Sequence, residues 1–359
     1  MKTEILDYEV ERLVKEIKYC RTKALKGDTR GRIEKIFLPK LDSMPIYKNA
    51  IIGDYWHDLT MLLDMAYTSA VYDGCWERIE VKTEETLGDN IEAVEDCGYY
   101  CCIDVECLEN KLPNVEKMLT AMATAVGKTK NSRLIIALSV PNFPPVPNGV
   151  KILEERELSY YLEKEIETAK MTHAVKNFIE IERICRRLMI VANCRISILR
   201  FPNLFGLWCK DTVHTSFYSN FSEVFAKNKI EYISTNFQTV RSSIYIPDAV
   251  RFMISALYSL KTGNVYNVCA DESSMLDDLV LLYKNNSGDL NLNVVVDCPE
   301  EYSYNVIGST KHAVAEFRYR KGRRKRLAGF YSYYKSLFTV RQTAIHRLWQ
   351  IIQEELIGG

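Results

Sequence analysis

The sequence lacks an excess of either charge. Lys+Arg and Asp+Glu both number 47 in 359 residues, so the formal net charge is zero. No global field then draws the chain to nucleic acid or to an anionic membrane, and nucleic acid is not an expected partner. It also lacks any run near the ~18 consecutive apolar residues of a membrane span, and the N-terminal MKTEILDYEVERL has no signal-peptide apolar region. A cytoplasmic protein with no membrane span is the expectation. No internal repeat and no low-complexity tract is present. Eleven cysteines are present, but the count is odd and the chain large, so a secreted disulfide framework is not expected. The cluster Cys97, Cys101, Cys102 and Cys107 contains no paired Cys-x-x-Cys, and adjacent residues of a strand face opposite sides. A buried strand of small hydrophobes is therefore favoured over a zinc site.

The apolar pattern that is present alternates between helix and strand. Residues 8–19 put Val10, Leu13, Val14 and Ile17 on one helical face, so an amphipathic helix opens the pattern. A helical segment is expected around residues 32–37, a short buried strand at 48–54 (KNAIIGD), a strand at 99–105 (YYCCIDV) and a helix at 114–126. RLIIALSV (133–140) is a continuous apolar strand of the kind that parallel sheets bury on both faces. PNFPPVPNGV (141–150) holds four prolines and reads as a loop. A helix over 158–189, a strand at 195–201, a helix from Asp248 to Leu260 and a strand at 264–268 (NVYNV) complete the alternation. This order predicts an α/β fold, a doubly wound parallel Rossmann-type sheet with a small C-terminal α/β domain of the substrate-binding type. The basic run 318–326 (RYRKGRRKR) reads as a solvated face, with a docking patch for an acidic partner as the alternative.

The ordered signatures resemble those of extended short-chain dehydrogenases/reductases, the epimerase/dehydratase group. Ser139 ends RLIIALS, KNFIE carries Lys176 and Glu180, and LRFPNLFG carries Arg200, Asn203 and Gly206. Arg241, SSIYIPDAV with Asp248, NVYNV with Asn267 and STKHAVAEFRY follow in the family's order. The resemblance covers residues 130–335 and is looser before them. There KYCRTK with Arg21 looks like the second Rossmann strand, and AIIGDYWHD with Asp54 and Asp58 looks like the turn beside the adenine. The Gly-x-Gly-x-x-Gly turn that would seat a pyrophosphate is absent. The implied domains are 1–205, Rossmann-like with its first strand and glycine loop missing, 206–335, smaller and interleaved with it, and a C-terminal helix at 336–359.

The resemblance implies a catalytic Ser, Tyr and Lys, the Tyr acting as general acid/base one helical turn from the Lys. Ser139 and Lys176 fit that pattern, but Thr172 stands where the tyrosine is expected, and a threonine hydroxyl is far less acidic. Tyr160 and Lys164 offer a second register. Lys164 lies 36 residues before Arg200 and Lys176 lies 24, and the shorter gap favours Thr172/Lys176. His173 is a lone histidine whose bland reading, surface or packing, outweighs a catalytic one.

Two function classes follow. The favoured one is a divergent, non-catalytic member of the fold, a pseudoenzyme with a structural, regulatory or assembly role and a protein partner or homodimer. The other is an active NAD(P)-dependent oxidoreductase, epimerase or dehydratase acting on a nucleotide sugar or a related carbonyl or alcohol. On the first reading NAD(P) binds weakly or not at all. If a dinucleotide binds, Arg21 and Asp54 are expected near its adenosine end, and Ser139, Lys176 and Asn203 near the nicotinamide.

Overall fold

In a computed structural model of the chain, the residues described are 2–26, 48–55, 57–72, 77–78, 97–106, 108, 111–129, 132–140, 151–155, 173–193, 195–205, 232–233, 240–241, 243–259, 262–268, 274–275, 295–296 and 306–317. The strands are β1 (Lys48–Tyr55), β2 (Glu77–Arg78), β3 (Cys97–Ile103), β4 (Arg133–Ser139), β5 (Lys151–Leu153), β6 (Ile196–Phe201), β7 (Asn203–Phe205), β8 (Tyr232–Ile233), β9 (Val240–Arg241), β10 (Ser243–Tyr245), β11 (Val265–Asn267), β12 (Ser274–Met275), β13 (Val295–Val296) and β14 (Val306–Gly308). The helices are α1 (Lys2–Lys26), α2 (His57–Tyr72), α3 (Leu112–Lys128), α4 (His173–Val191), α5 (Ile246–Leu257) and α6 (Lys311–Phe317).

Six strands form one sheet in the order β11-β6-β4-β3-β1-β2, and every neighbouring pair is parallel. The four apolar runs predicted as strands at 48–54, 99–105, 133–140 and 195–201 are thus side by side. Their lack of alternation has a direct cause. A parallel sheet with helices on both faces is dry on both sides, so every residue of β3, β4 and β6 is buried. Cys102 and Tyr100 enter the core beneath α1, α2 and α5, whereas Cys97 and Cys101 enter the opposite core beneath α3 and α4. Burial pushes the Cys101 thiol well above its ordinary range, which keeps it protonated.

Sheet order also fixes where the chain reverses direction. β1 pairs on one side with β2 and on the other with β3, so the switch point of the doubly wound sheet lies between β1 and β3. This corrects two expectations. AIIGD is the strand at the switch point, with its turn leading into α2, rather than a turn beside the adenine. Arg21 lies within helix α1, not in a strand. The 3.6-residue spacing of Val10, Leu13, Val14 and Ile17 runs on to Cys20, and that periodicity overrides the local look of KYCRTK.

Helix α1 runs parallel to α5, as successive contacts between the two show: Arg12 to Asp248 at 2.8 Å, Arg251 to Glu16 at 3.4 Å and Cys20 to Ser255 at 4.0 Å. Its buried face packs into the core it shares with α2 and α5. At the sheet's opposite edge two arginines cap helix ends. Arg133 donates to Leu257 O (2.9 Å) and Ser259 O at the end of α5, and Arg195 donates to Val126 O (3.3 Å) and Thr129 O at the end of α3. Burial, with Arg195 nearby, pushes the Arg133 guanidinium down to about 10.

Helix α4 begins at His173; the residues 158–172 expected in the same helix lie outside the described residues. So do the segment 32–37, the proline loop 141–150, the basic run 318–326 and the terminal stretch 336–359.

Candidate functional site

Ligands of open α/β sheets bind outside the carboxyl ends of the strands. Here that edge is formed by Tyr55, Ile103, Ser139 and Phe201 with the residues that follow them, and by the first turns of α2 and α4.

Ser139 ends β4, and β3 lies beside it in register, Ile103 opposite Leu138. The residue after Ile103 is Asp104, and the pairing brings the two together. The Ser139 hydroxyl donates to Asp104 Oδ1 at 2.9 Å and accepts from the Val105 N–H at 2.8 Å. Asp104 Oδ1 also accepts from the Glu106 N–H at 3.2 Å. Ser139 and Asp104 are each 1% exposed. A hydroxyl carries one hydrogen, and this one is committed to a buried carboxylate.

Asn177 of α4 closes the cluster from above. Its Nδ2 donates to Val105 O at 3.3 Å and lies 3.1 Å from His173 Nδ1. Asn177 is buried, and Lys176, one residue earlier and about 100° round the helix, is exposed. Of the residues proposed from the sequence, then, Ser139 stands at the sheet edge and Lys176 on a solvent-facing side of the adjoining helix. Asn203 opens β7, paired with Ser243. Asp54 sits in β1 opposite Cys102, while Thr172, Tyr160 and Lys164 lie outside the described residues.

A second polar cluster lies beneath the same edge at β6 and β11. Arg200, 1% exposed, donates to Glu182 Oε2 (3.0 Å) and Oε1 (2.5 Å) of α4, to Asn267 Oδ1 (3.1 Å) and to Glu155 O (3.0 Å). Burial acts to raise the Glu182 carboxyl, but the Arg200 charge and hydrogen bonds, aided by Arg186, outweigh it and hold it below its ordinary range. Arg200 and Asn267, each part of a resemblance motif, are thus joined as a buried packing pair. Sequence reasoning missed Asp104, Asn177, Glu155 and Glu182. Asp104 had a signal, the first carboxylate after an unbroken apolar strand, which the expected strand 99–105 absorbed.

The turn after β1 is where a dinucleotide's pyrophosphate would sit in such a sheet. Strand β1 runs to Tyr55 and α2 begins at His57, so a single residue, Trp56, separates them. The stretch Gly53-Asp54-Tyr55-Trp56-His57-Asp58 has one glycine and two carboxylate residues. A pyrophosphate needs close backbone approach, which glycines at a strand-to-helix turn allow, and this stretch of sequence has one glycine where such a turn carries three. The sequence of this stretch departs from the glycine-rich turn that seats a dinucleotide.

Comparison with known proteins accords with the topology. Residues 104–269 match the family model described as the NAD dependent epimerase/dehydratase family. The UDP-glucose 4-epimerase of Thermotoga maritima, solved with UDP-glucose, superposes with a TM-score of 0.61 at 12% identity, over 81% of this chain and 99% of that one. The UDP-glucuronic acid 4-epimerase of Bacillus cereus, solved with NAD, gives 0.58 at 15% identity, again over 81% and 99%. Among curated proteins none matches this chain. The match to the NAD dependent epimerase/dehydratase family covers residues 104–269, and the chain has the fold of these nucleotide-sugar epimerases.

Proposed function

We propose that this chain is a non-catalytic member of the epimerase/dehydratase family, a structural, regulatory or assembly module that works without NAD(P). The observation that carries this reading is the short connection between β1 and α2, whose sequence holds one glycine, Gly53, in place of a glycine-rich loop. The buried Ser139 hydroxyl supports it, since its hydrogen already belongs to Asp104 and is not offered to a substrate oxygen. So does the exposed Lys176, which is not held against Ser139. The role calls for a protein partner or a second copy of the chain, in the cytoplasm. The division 1–205, 206–335 and 336–359 is part of the same proposal.

A second reading, an enzyme acting on a nucleotide sugar, draws on the epimerases solved with UDP-glucose and with NAD that share the fold. Incubation of the purified chain with NAD and either UDP-glucose or UDP-glucuronic acid, followed by proton NMR of the sugar, separates the two. The proposal expects no conversion at stoichiometric protein. Accumulation of a 4-epimer or of a keto-sugar would overturn it.

A further inference from the structure

Residues 306–317 reach the sheet from far along the chain and are tied to it at both ends. Strand β14 pairs in parallel with β5, Val306 opposite Lys151 and Gly308 opposite Leu153. Helix α6 follows, with Phe317 packed edge-on against Phe252 (5.7 Å between centroids) and Tyr266 (5.0 Å), and Ser259 Oγ donating to Glu316 at 2.8 Å. Between these ends, His312 Nδ1 lies 2.8 Å from Glu155 Oε2.

Glu155 is the shared anchor. Its Oε1 accepts from the Asn267 N–H at the end of β11 (3.2 Å), and its main-chain oxygen accepts from Arg200, whose guanidinium is paired with Glu182 of α4. A continuous chain of hydrogen bonds therefore runs from α6 through Glu155 and β11 to β6 and α4. Glu155 is 7% exposed and His312 side chain 61% exposed, so one partner is built into the core and the other closes on it from solvent.

We propose that residues 306–317 form a strap across the β11 side of the sheet, latched by the His312–Glu155 contact and able to open locally while the sheet stays folded. The β14–β5 pair is short, three residues on each strand, and a pair of that length depends on contacts outside itself. Glu155, two residues beyond β5, and His312, four beyond β14, supply such a contact at the end where both strands finish. The strap does not depend on whether a dinucleotide or a sugar binds, so its failure would leave the proposed function standing.

Amide hydrogen exchange of the full chain tests this, comparing wild type with His312→Ala, Glu155→Gln and the neighbouring exposed Lys311→Ala. Loss of a hydrogen bond to a carboxylate should raise exchange at 306–308 and 151–153 about tenfold in His312→Ala and in Glu155→Gln, while 133–139 and 196–201 stay as in wild type. Lys311→Ala should behave as wild type. His312 is exposed enough that its substitution leaves the core packed, so the test stands even if Glu155→Gln fails to fold. Unchanged exchange at 306–308 in His312→Ala would overturn the strap. So would an equal rise in Lys311→Ala, or a rise spread equally over the central strands.

Discussion

The Ser139 hydroxyl and the Asp104 carboxylate are hydrogen-bonded at 2.9 Å across the ends of two neighbouring parallel strands, and both are buried. The serine at the end of β4 therefore serves the fold. Its removal strips Asp104 of a donor and leaves the Val105 N–H without its acceptor.

Ser139→Ala should accordingly lower stability by about 1–3 kcal/mol, the range for orphaning buried polar groups. Urea unfolding measures it. A serine that held only a ligand would give a midpoint indistinguishable from wild type.

The Arg200–Glu182 pair should behave as a buried ion pair. Arg200→Met leaves the Glu182 carboxylate beneath α4 without its main partner and should cost about 3–5 kcal/mol, whereas Arg200→Met with Glu182→Leu should recover much of that loss. The pH dependence has a definite sign. Glu182 sits below its ordinary value of 4.5 in the folded chain, so its contribution is complete above about 4.5 and is lost as the pH falls through the folded value. Thermal unfolding between pH 3 and 6 should show this loss in wild type and a smaller one in the double variant.

Gly127 near the end of α3 meets the end of α4 closely. A Cβ placed there would stand 2.9 Å from the main-chain oxygen of Val191. Helix propensity favours alanine by about 1 kcal/mol, but overpacking against backbone costs about 1–3 kcal/mol. Gly127→Ala should thus destabilise the chain, and a raised melting temperature would contradict this packing.

What could be read in the sequence divides along physical lines. β3, β4 and β6 were legible because strands buried on both faces leave continuous apolar runs, and the opposite facing of Cys101 and Cys102 follows from the strand's two-residue period. The Ser139–Asp104 bond was not, because it needs the adjacency of β3 and β4, which no local pattern carries. Arg200 and Glu182 are 18 residues apart on a strand and a helix, and their meeting depends on how α4 lies over the sheet. Arg21 was misread because a few residues can look like a strand end while a longer 3.6-residue period governs them. The place of AIIGD became clear only from its hydrogen bonding to β3.

The arginine caps carry a prediction of their own. Arg133 satisfies carbonyls at the end of α5 that lie beyond the helix's own hydrogen bonds. Arg133→Met keeps the apolar stem and removes the donors, and should cost about 1–3 kcal/mol in chemical unfolding. An unchanged midpoint would mean that other groups satisfy those carbonyls.

Binding of the dinucleotide is the most direct test of the central claim, that the turn after β1 no longer seats a pyrophosphate. Isothermal titration of the purified chain with NAD, NADH, NADP and NADPH should give no heat of binding beyond dilution, corresponding to affinities no tighter than about millimolar. Saturable binding of any of the four with sub-micromolar affinity would contradict the account.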